Sequence, residues 1–381
     1  MGFKECEVHN PSGGKRVVVT KELVGKRWLD ILIEAGCRVE VCSTTELLSA
    51  AEIKTAIGDR CDGAIGQISE SWGEEMFAAL AAAGGKVYSN YAVGFDNVDL
   101  GAATRHGIAV GNTPGVLTEA TAQMAVALTF AAARRVSEAE RFLREGKYKG
   151  WLPTLFVGNL LWRKTLGVIG AGRIGTAYAL MMVEGHKMNL IYFNPHANRR
   201  LEDYLAAYNA FLTARRLPAI KCKRAGKIED LLREADCVSI HTILNESTHH
   251  LINKERLALM KTNAILINTS RGPVIDEAAL VEHCRTHPDF RVGLDVFENE
   301  PETKPGLLDL DNVVKVPHIA SSTNWTRQGM ATLAASNVAG ILMGRPAWQK
   351  PDILSFLEGT APAAAPSILN AKELGIRQYT D

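Results

Sequence analysis

The 381-residue chain has no Cys-X-X-Cys pair among its seven cysteines, and Cys37 and Cys42 are the closest two in sequence. Neither a disulfide framework nor a thiolate zinc site is indicated, and buried free thiols in a reducing compartment are expected. Excess charge of either sign is also missing: 43 lysines and arginines face 42 aspartates and glutamates. No global field therefore gathers nucleic acid or a membrane surface, and an acidic small molecule has to be caught by local basic groups. Apolar runs of about eighteen residues, the length that crosses a bilayer, are absent. Met1–Asn10 has no apolar core of the signal-peptide kind, and the final Gln378-Tyr-Thr-Asp381 is not a peroxisomal address of the Ser-Lys-Leu type. The expectation is a soluble protein of the mitochondrion, peroxisome or cytosol.

What is present alternates between strand and helix patterns, so the fold class expected is α/β, with two Rossmann-like doubly wound parallel-sheet domains and a cleft between them. Short, partly β-branched runs at 16–20, 38–42, 63–67, 86–89 and 108–111 read as strands of a first domain. Helical periodicity marks 28–35 and 72–83. A long alanine-rich helix is expected over 118–144, closed by Gly146. Nearly continuous apolar runs at 166–169, 189–193, 237–242, 264–268, 293–297 and 313–316 then read as strands buried on both faces. Another alanine-rich helix covers 325–340, and a proline- and alanine-rich strap covers 359–366. The inferred division is a discontinuous substrate-binding domain, 1–117 with 322–381, and a dinucleotide-binding domain, 118–321.

Val168-Ile-Gly-Ala-Gly-Arg-Ile-Gly175 follows an apolar strand and opens a helix, the context that gives a glycine pattern meaning. Gly170 permits the turn, Gly172 lets the backbone approach a pyrophosphate, and Gly175 lets the helix pack on the strand. The phosphates would lie at a helix N-terminus. Where an acidic residue would hold the adenosine ribose, the chain has Asn194, with Arg199 and Arg200 soon after. An aspartate would repel a 2′-phosphate, whereas asparagine would not, so NADP stays open beside NAD. The two arginines read equally as a solvated helix start.

Reduction of a 2-oxo acid needs a carboxylate clamp, a polarised ketone and a proton. Arg271, in Asn268-Thr-Ser-Arg-Gly-Pro273, stands at the carboxyl end of a strand, where open α/β sheets bind ligands, and a guanidinium fork suits a carboxylate. His318 follows another strand after Pro317 and can give or take the proton. Glu300, in Asp295-Val-Phe-Glu-Asn-Glu-Pro301, can hold the other ring nitrogen and so favour the charged imidazole. Asp295 reads either as a contact of the nicotinamide carboxamide or as a buried, hydrogen-bonded carboxylate. His249-His250 and Lys221-Cys-Lys-Arg224 read as a solvated loop and a solvated turn, and no metal site is expected.

These segments resemble the D-2-hydroxyacid dehydrogenases over most of the chain, and within them the plant-type hydroxypyruvate reductase (glycerate dehydrogenase) branch. The resemblance is carried by Gly111-Asn-Thr-Pro-Gly-Val-Leu-Thr118, Trp151-Leu-Pro153, Phe156-Val-Gly-Asn-Leu-Leu161, Met181-Met-Val-Glu-Gly185, Ser270-Arg-Gly-Pro-Val-Ile-Asp276 and Gly293-Leu-Asp-Val-Phe-Glu-Asn-Glu-Pro301. It implies Arg271 as substrate clamp, His318 as acid/base and Glu300 as its partner, with substrate contacts at Val93 and Gly94. It also implies cofactor contacts at Arg173, Ile174, Thr242, Thr269 and Asp295, and a homodimer built on the helix near 118–144. The implied partner is a small 2-oxo acid, with no nucleic acid and no membrane. The implied activity is NAD(P)H-dependent reduction of hydroxypyruvate and, more slowly, glyoxylate. The alternatives are another D-2-hydroxyacid dehydrogenase and a dinucleotide-sensing, corepressor-like protein, a relative that keeps the same arginine, glutamate and histidine.

Overall fold

The computed structural model describes residues 6–44, 46–348 and 350–380. By their contacts the residues divide into two compact units, Met1–Leu117 with Ser322–Asp381, and Thr118–Ser321.

In the first unit the strands are β1 (Glu7–His9), β2 (Lys15–Val19), β3 (Cys37–Val41), β4 (Gly63–Gly66), β5 (Val87–Asn90) and β6 (Ala109–Gly111), ordered β1-β3-β2-β4-β5-β6. Strands β2 to β6 run parallel, and their Val17, Val18, Val39, Ile65 and Val87 have no exposed surface, as a sheet covered on both faces requires. The helix Asn324–Leu342 packs on β4 and β5 and against the helix Arg27–Glu34. One edge corrects the expected parallel sheet: β1 pairs antiparallel with β3, Glu7 opposite Val41. Three residues, two of them polar, are too few for periodicity to mark a strand.

In the second unit the strands are β7 (Thr165–Ile169), β8 (Asn189–Phe193), β9 (Cys222–Arg224), β10 (Cys237–Ile240), β11 (Ile265–Asn268), β12 (Arg291–Leu294) and β13 (Val313–Lys315). All pairings are parallel, in the order β13-β12-β11-β10-β7-β8-β9. One apolar core lies on each face, the first including Val168, Tyr178 and Ile267, the second Ile240, Leu266 and Val292. The helix Arg199–Ala214 buries Leu201, Leu205 and Leu212 in the first of these cores.

The single helix expected over 118–144 is two helices, Thr118–Ala133 and Val136–Arg144. Arg135 between them takes a left-handed φ of 57°, and its guanidinium donates to both carboxylate oxygens of Glu138. The first helix runs through the core, whereas the second buries none of its side chains, so the chain turns outward where apolar support ends. Lys221–Arg224 is likewise not a solvated turn, because Cys222–Arg224 forms the edge strand β9. Among the described residues no helix is long and apolar enough to cross a membrane, and no histidine, cysteine or carboxylate cluster could hold a metal.

Candidate active site

Every strand of the second sheet ends on the same edge, because every pairing is parallel. Along that edge stand the residues after β13 (His318), β12 (Asp295 and Glu300), β11 (Thr269 and Arg271), β10 (Thr242), β7 (the glycine loop) and β8 (Asn194). Strand order reverses at β7, whose neighbours are β10 and β8, and the crevice for a ligand in an open α/β sheet lies at that reversal.

Arg271, Glu300 and His318 thus rise from three adjacent strand ends. Glu300 uses both carboxylate oxygens: Oε2 accepts from His318 Nδ1 at 2.8 Å and Oε1 accepts from the Phe297 amide at 3.0 Å. Burial pushes the Glu300 carboxyl up. The hydrogen bond and charge of His318, the Phe297 amide and the charge of Arg271 outweigh it and hold the group below the usual carboxylate range. The pair is still reachable from solvent, with side-chain exposures of 30% for His318 and 35% for Glu300. With Nδ1 engaged, the second ring nitrogen, Nε2, is the one left to meet a substrate.

His318 has a φ of 50°, a left-handed conformation in which a residue other than glycine stays only if its surroundings hold it. Its amide donates to the Asp295 carbonyl at 2.9 Å. Asp295, fully buried, accepts from the Ile319 amide at 2.7 Å and the Ala320 amide at 3.0 Å. Burial raises the Asp295 carboxyl above its ordinary value against those two amides and the nearby His318 charge. Of the two roles considered for Asp295, the buried, hydrogen-bonded one is on display: it sets the backbone that carries His318.

The Arg271 turn is fixed from below. Asn268 accepts from the Ser270 amide and hydroxyl and donates to the Arg271 carbonyl at 2.8 Å. Gly272 presses on the next loop so closely that a Cβ there would stand 1.8 Å from the Phe297 carbonyl oxygen. Sequence reasoning missed what joins these two loops. Glu277, buried, accepts from the Glu298 and Lys304 amides, and Glu298 in return accepts from the Glu277 amide at 3.1 Å. His250 is part of the same joint and not of a solvated loop: its Nε2 lies 3.2 Å from Glu298, and its amide donates to the Pro273 carbonyl. The only sequence signal for this was the density of carboxylates after two consecutive strands.

At the glycine loop Gly170 has a φ of 90°, and a Cβ on Gly175 would lie 2.1 Å from the Gly170 carbonyl, so the turn and the helix approach both require glycine. Gly172 opens onto free space. The helix Arg173–His186 starts there with no side chain capping it, leaving the first amides, including those of Arg173 and Ile174, for an anion. Thr269, nearly buried, has a hydroxyl without a hydrogen-bond partner. An uncapped helix start, open space at Gly172 and an orphaned hydroxyl on one edge fit a dinucleotide. Asn194 donates to the His196 carbonyl at 3.0 Å. Arg199 and Arg200 are the exposed start of a helix capped by Asn198, and Arg199 pairs with Glu202. The arginine that reaches the Asn194 turn is Arg224, which donates to the Asn194 and Pro195 carbonyls at 3.1 and 2.6 Å. Val93 and Gly94 lie in the first unit, after β5, where Asn112 and Asn90 hold their carbonyls.

Residues 126–320 match the family described as D-isomer specific 2-hydroxyacid dehydrogenase, NAD binding domain. The chain belongs to the D-isomer specific 2-hydroxyacid dehydrogenases. This dehydrogenase is 59% identical over 374 residues to a peroxisomal glycerate dehydrogenase of Arabidopsis thaliana, covering 97% of each chain. A solved protein of Thermus thermophilus shares 38% identity with a TM-score of 0.76, covering 93% of the dehydrogenase and 99% of that chain. An NADPH-dependent glyoxylate/hydroxypyruvate reductase of Sinorhizobium meliloti, solved with NADP and malonate, shares 25% identity with a TM-score of 0.72, covering 96% and 99%.

Proposed function

We propose that this dehydrogenase reduces hydroxypyruvate, and glyoxylate more slowly, to D-glycerate and glycolate. The observation that carries the proposal is the Glu300–His318 pair at 2.8 Å, beside the strand end that presents Arg271. A reduced nicotinamide dinucleotide, when bound, supplies the hydride. Arg271 holds the substrate carboxylate through paired hydrogen bonds and polarises the ketone. His318 gives its Nε2 proton to the oxygen that becomes the alcohol, and Glu300 stabilises the imidazolium before transfer. Val93 and Gly94 contribute backbone contacts to the substrate. The glycine loop, Arg173, Ile174, Thr242, Thr269 and Asp295 border the dinucleotide. The name of the Arabidopsis relative supports glycerate as the alcohol of the reaction, and that of the Sinorhizobium relative supports hydroxypyruvate and glyoxylate as substrates.

The test is an assay of hydroxypyruvate, glyoxylate, pyruvate and a bulky aryl oxo acid, each with NADH and NADPH, followed by nicotinamide absorbance. The highest kcat/KM is expected for hydroxypyruvate. Turnover of none of them would leave the dinucleotide-sensing alternative. At the adenosine end, Arg224 is expected to sit beside the 2′-position, with Asn194 adding no repulsion to a phosphate there. Arg224→Ala should weaken NADPH binding about 10-fold, as loss of one exposed charge-assisted hydrogen bond would, and leave NADH binding within about 2-fold. Quenching of protein fluorescence by each nucleotide measures both; equal losses for the two would remove Arg224 from discrimination.

The homodimer is also proposed, and here the support is exposed apolar surface: Leu143, Trp151, Val157 and Leu160 are 62%, 80%, 66% and 75% accessible within one stretch. Scattered apolar residues need no partner, whereas large exposed ones this close together in the chain are what a subunit interface would cover. Sedimentation should find a dimer for the parent and a monomer for the double variant Trp151→Glu, Leu160→Glu. A parent that sediments as a monomer would refute the assembly.

A further inference from the structure

Two of the seven cysteines face each other. Strand β1 pairs antiparallel with β3 in the register Glu7–Val41, Val8–Glu40 and His9–Val39, so the next pair outward is Cys6 opposite Cys42. Directly opposed residues of an antiparallel pair point to the same face, with Cα atoms about 4.5–5.5 Å apart, inside the range that a disulfide spans. The sulfurs are in contact at 3.0 Å, and both cysteines are free thiols. Access is unequal: Cys6 is half-buried, whereas Cys42 is 2% exposed.

We propose that Cys6 and Cys42 are a redox modification site that closes to an intramolecular disulfide by exchange with a small-molecule disulfide of the glutathione type. The Cys6 thiolate attacks one sulfur of that disulfide, forming a mixed disulfide and releasing one thiolate, which takes up a proton. The Cys42 thiol then loses its proton to solvent and attacks the Cys6 sulfur, expelling the second small thiolate. Two protein thiols are oxidised and one small disulfide is reduced to two thiols.

The surroundings suit this order. The hydrogen bond from Cys42 lowers the Cys6 thiol against the opposing effect of burial, so the accessible sulfur is the more nucleophilic one. The Cys42 thiol is raised by the same contact and by burial. That restraint weakens once the Cys6 sulfur is capped and no longer carries charge, which is when Cys42 has to react. The other thiols lack this activation: burial pushes Cys37, Cys61 and Cys222 up to about 11 and Cys237 and Cys284 up to about 12. Closure would tie the edge strand β1, which pairs with β3 alone, across a sequence separation of 36 residues.

The full-length protein is incubated with oxidised glutathione, denatured, alkylated and digested for mass spectrometry. Loss of two of the seven alkylatable thiols is expected, with a Cys6–Cys42 cross-linked peptide free of glutathione that dithiothreitol reverses. Unfolding of the oxidised protein should move up by on the order of 5 °C, as expected for closing a loop of this length. In Cys42→Ser glutathione should remain on Cys6, while in Cys6→Ser Cys42 should stay unmodified. Seven alkylated thiols, glutathione persisting on Cys6 in the parent, or a Cys6-linked dimer on a non-reducing gel would each overturn the proposal, and none of the three depends on a variant folding.

Discussion

His318→Ala is expected to lower kcat for hydroxypyruvate reduction by about 10²–10⁴-fold, the usual contribution of a positioned acid or base, while nucleotide binding measured by fluorescence stays near the parent value. That span corresponds to roughly 3–5 kcal/mol of barrier. The confinement to kcat follows from geometry. The imidazole is joined to Glu300 through Nδ1, so its removal deletes the proposed proton donor and should leave the glycine loop, four strands away along the sheet edge, undisturbed. The left-handed backbone at 318 is braced by Asp295, whose carboxylate accepts from the next two amides, so alanine should leave the loop close to its parent shape. Glu300→Gln separates charge from shape: it keeps an acceptor for Nδ1 but removes the carboxylate, and should cost less than the loss of His318. A parent-like rate in His318→Ala would remove this residue from the proton step.

The Glu300 carboxyl is also expected to set the acid side of the pH profile. Its value in the folded protein lies below the ordinary carboxylate value of about 4.3, so its pairing contributes fully above that value and is lost only as pH falls through the folded one. Acid inactivation through this pair should therefore begin below the range in which exposed glutamates titrate. Inactivation starting well above that range would point to another group.

The sheets were legible because strands buried on both faces have to be apolar and β-branched; Ile265–Asn268 and Cys237–Ile240 declare themselves on composition alone. The glycine loop was legible for a different reason: Gly170 and Gly175 occupy places where a Cβ cannot fit, so the residue type reports the geometry. Strands β1 and β9 were not, since three-residue, largely polar edge strands are held by pairing and little by burial. The break at Arg135 also stayed hidden. Both helices have good helix formers, and what ends the first is the end of the core beneath it, a tertiary property. Among candidate site residues, those whose chemistry is rare at a strand end could be named from the chain. Arg224 and the Glu277–Glu298–His250 joint could not, because nothing local distinguishes them from solvated charge until β9 and the two loops are brought together.

Arg271→Ala should lower kcat/KM for hydroxypyruvate by about 10²–10³-fold, as removal of a charged donor aimed at a developing oxyanion does, with NADH affinity kept. Both parts of the constant should move, KM through the lost carboxylate clamp and kcat through the unpolarised ketone. The backbone at 271 is fixed by Asn268 and by the Gly272 contact with Phe297, so the substitution deletes a side chain without releasing the turn. Arg271→Lys decides between charge and geometry. Lysine preserves the positive charge that helps hold Glu300 ionised, yet it cannot form the paired, coplanar hydrogen bonds of a guanidinium. If charge alone mattered, lysine would restore most of the rate. With the fork required, Arg271→Lys should stay within about 10-fold of the alanine variant, and recovery to the parent value would refute the clamp.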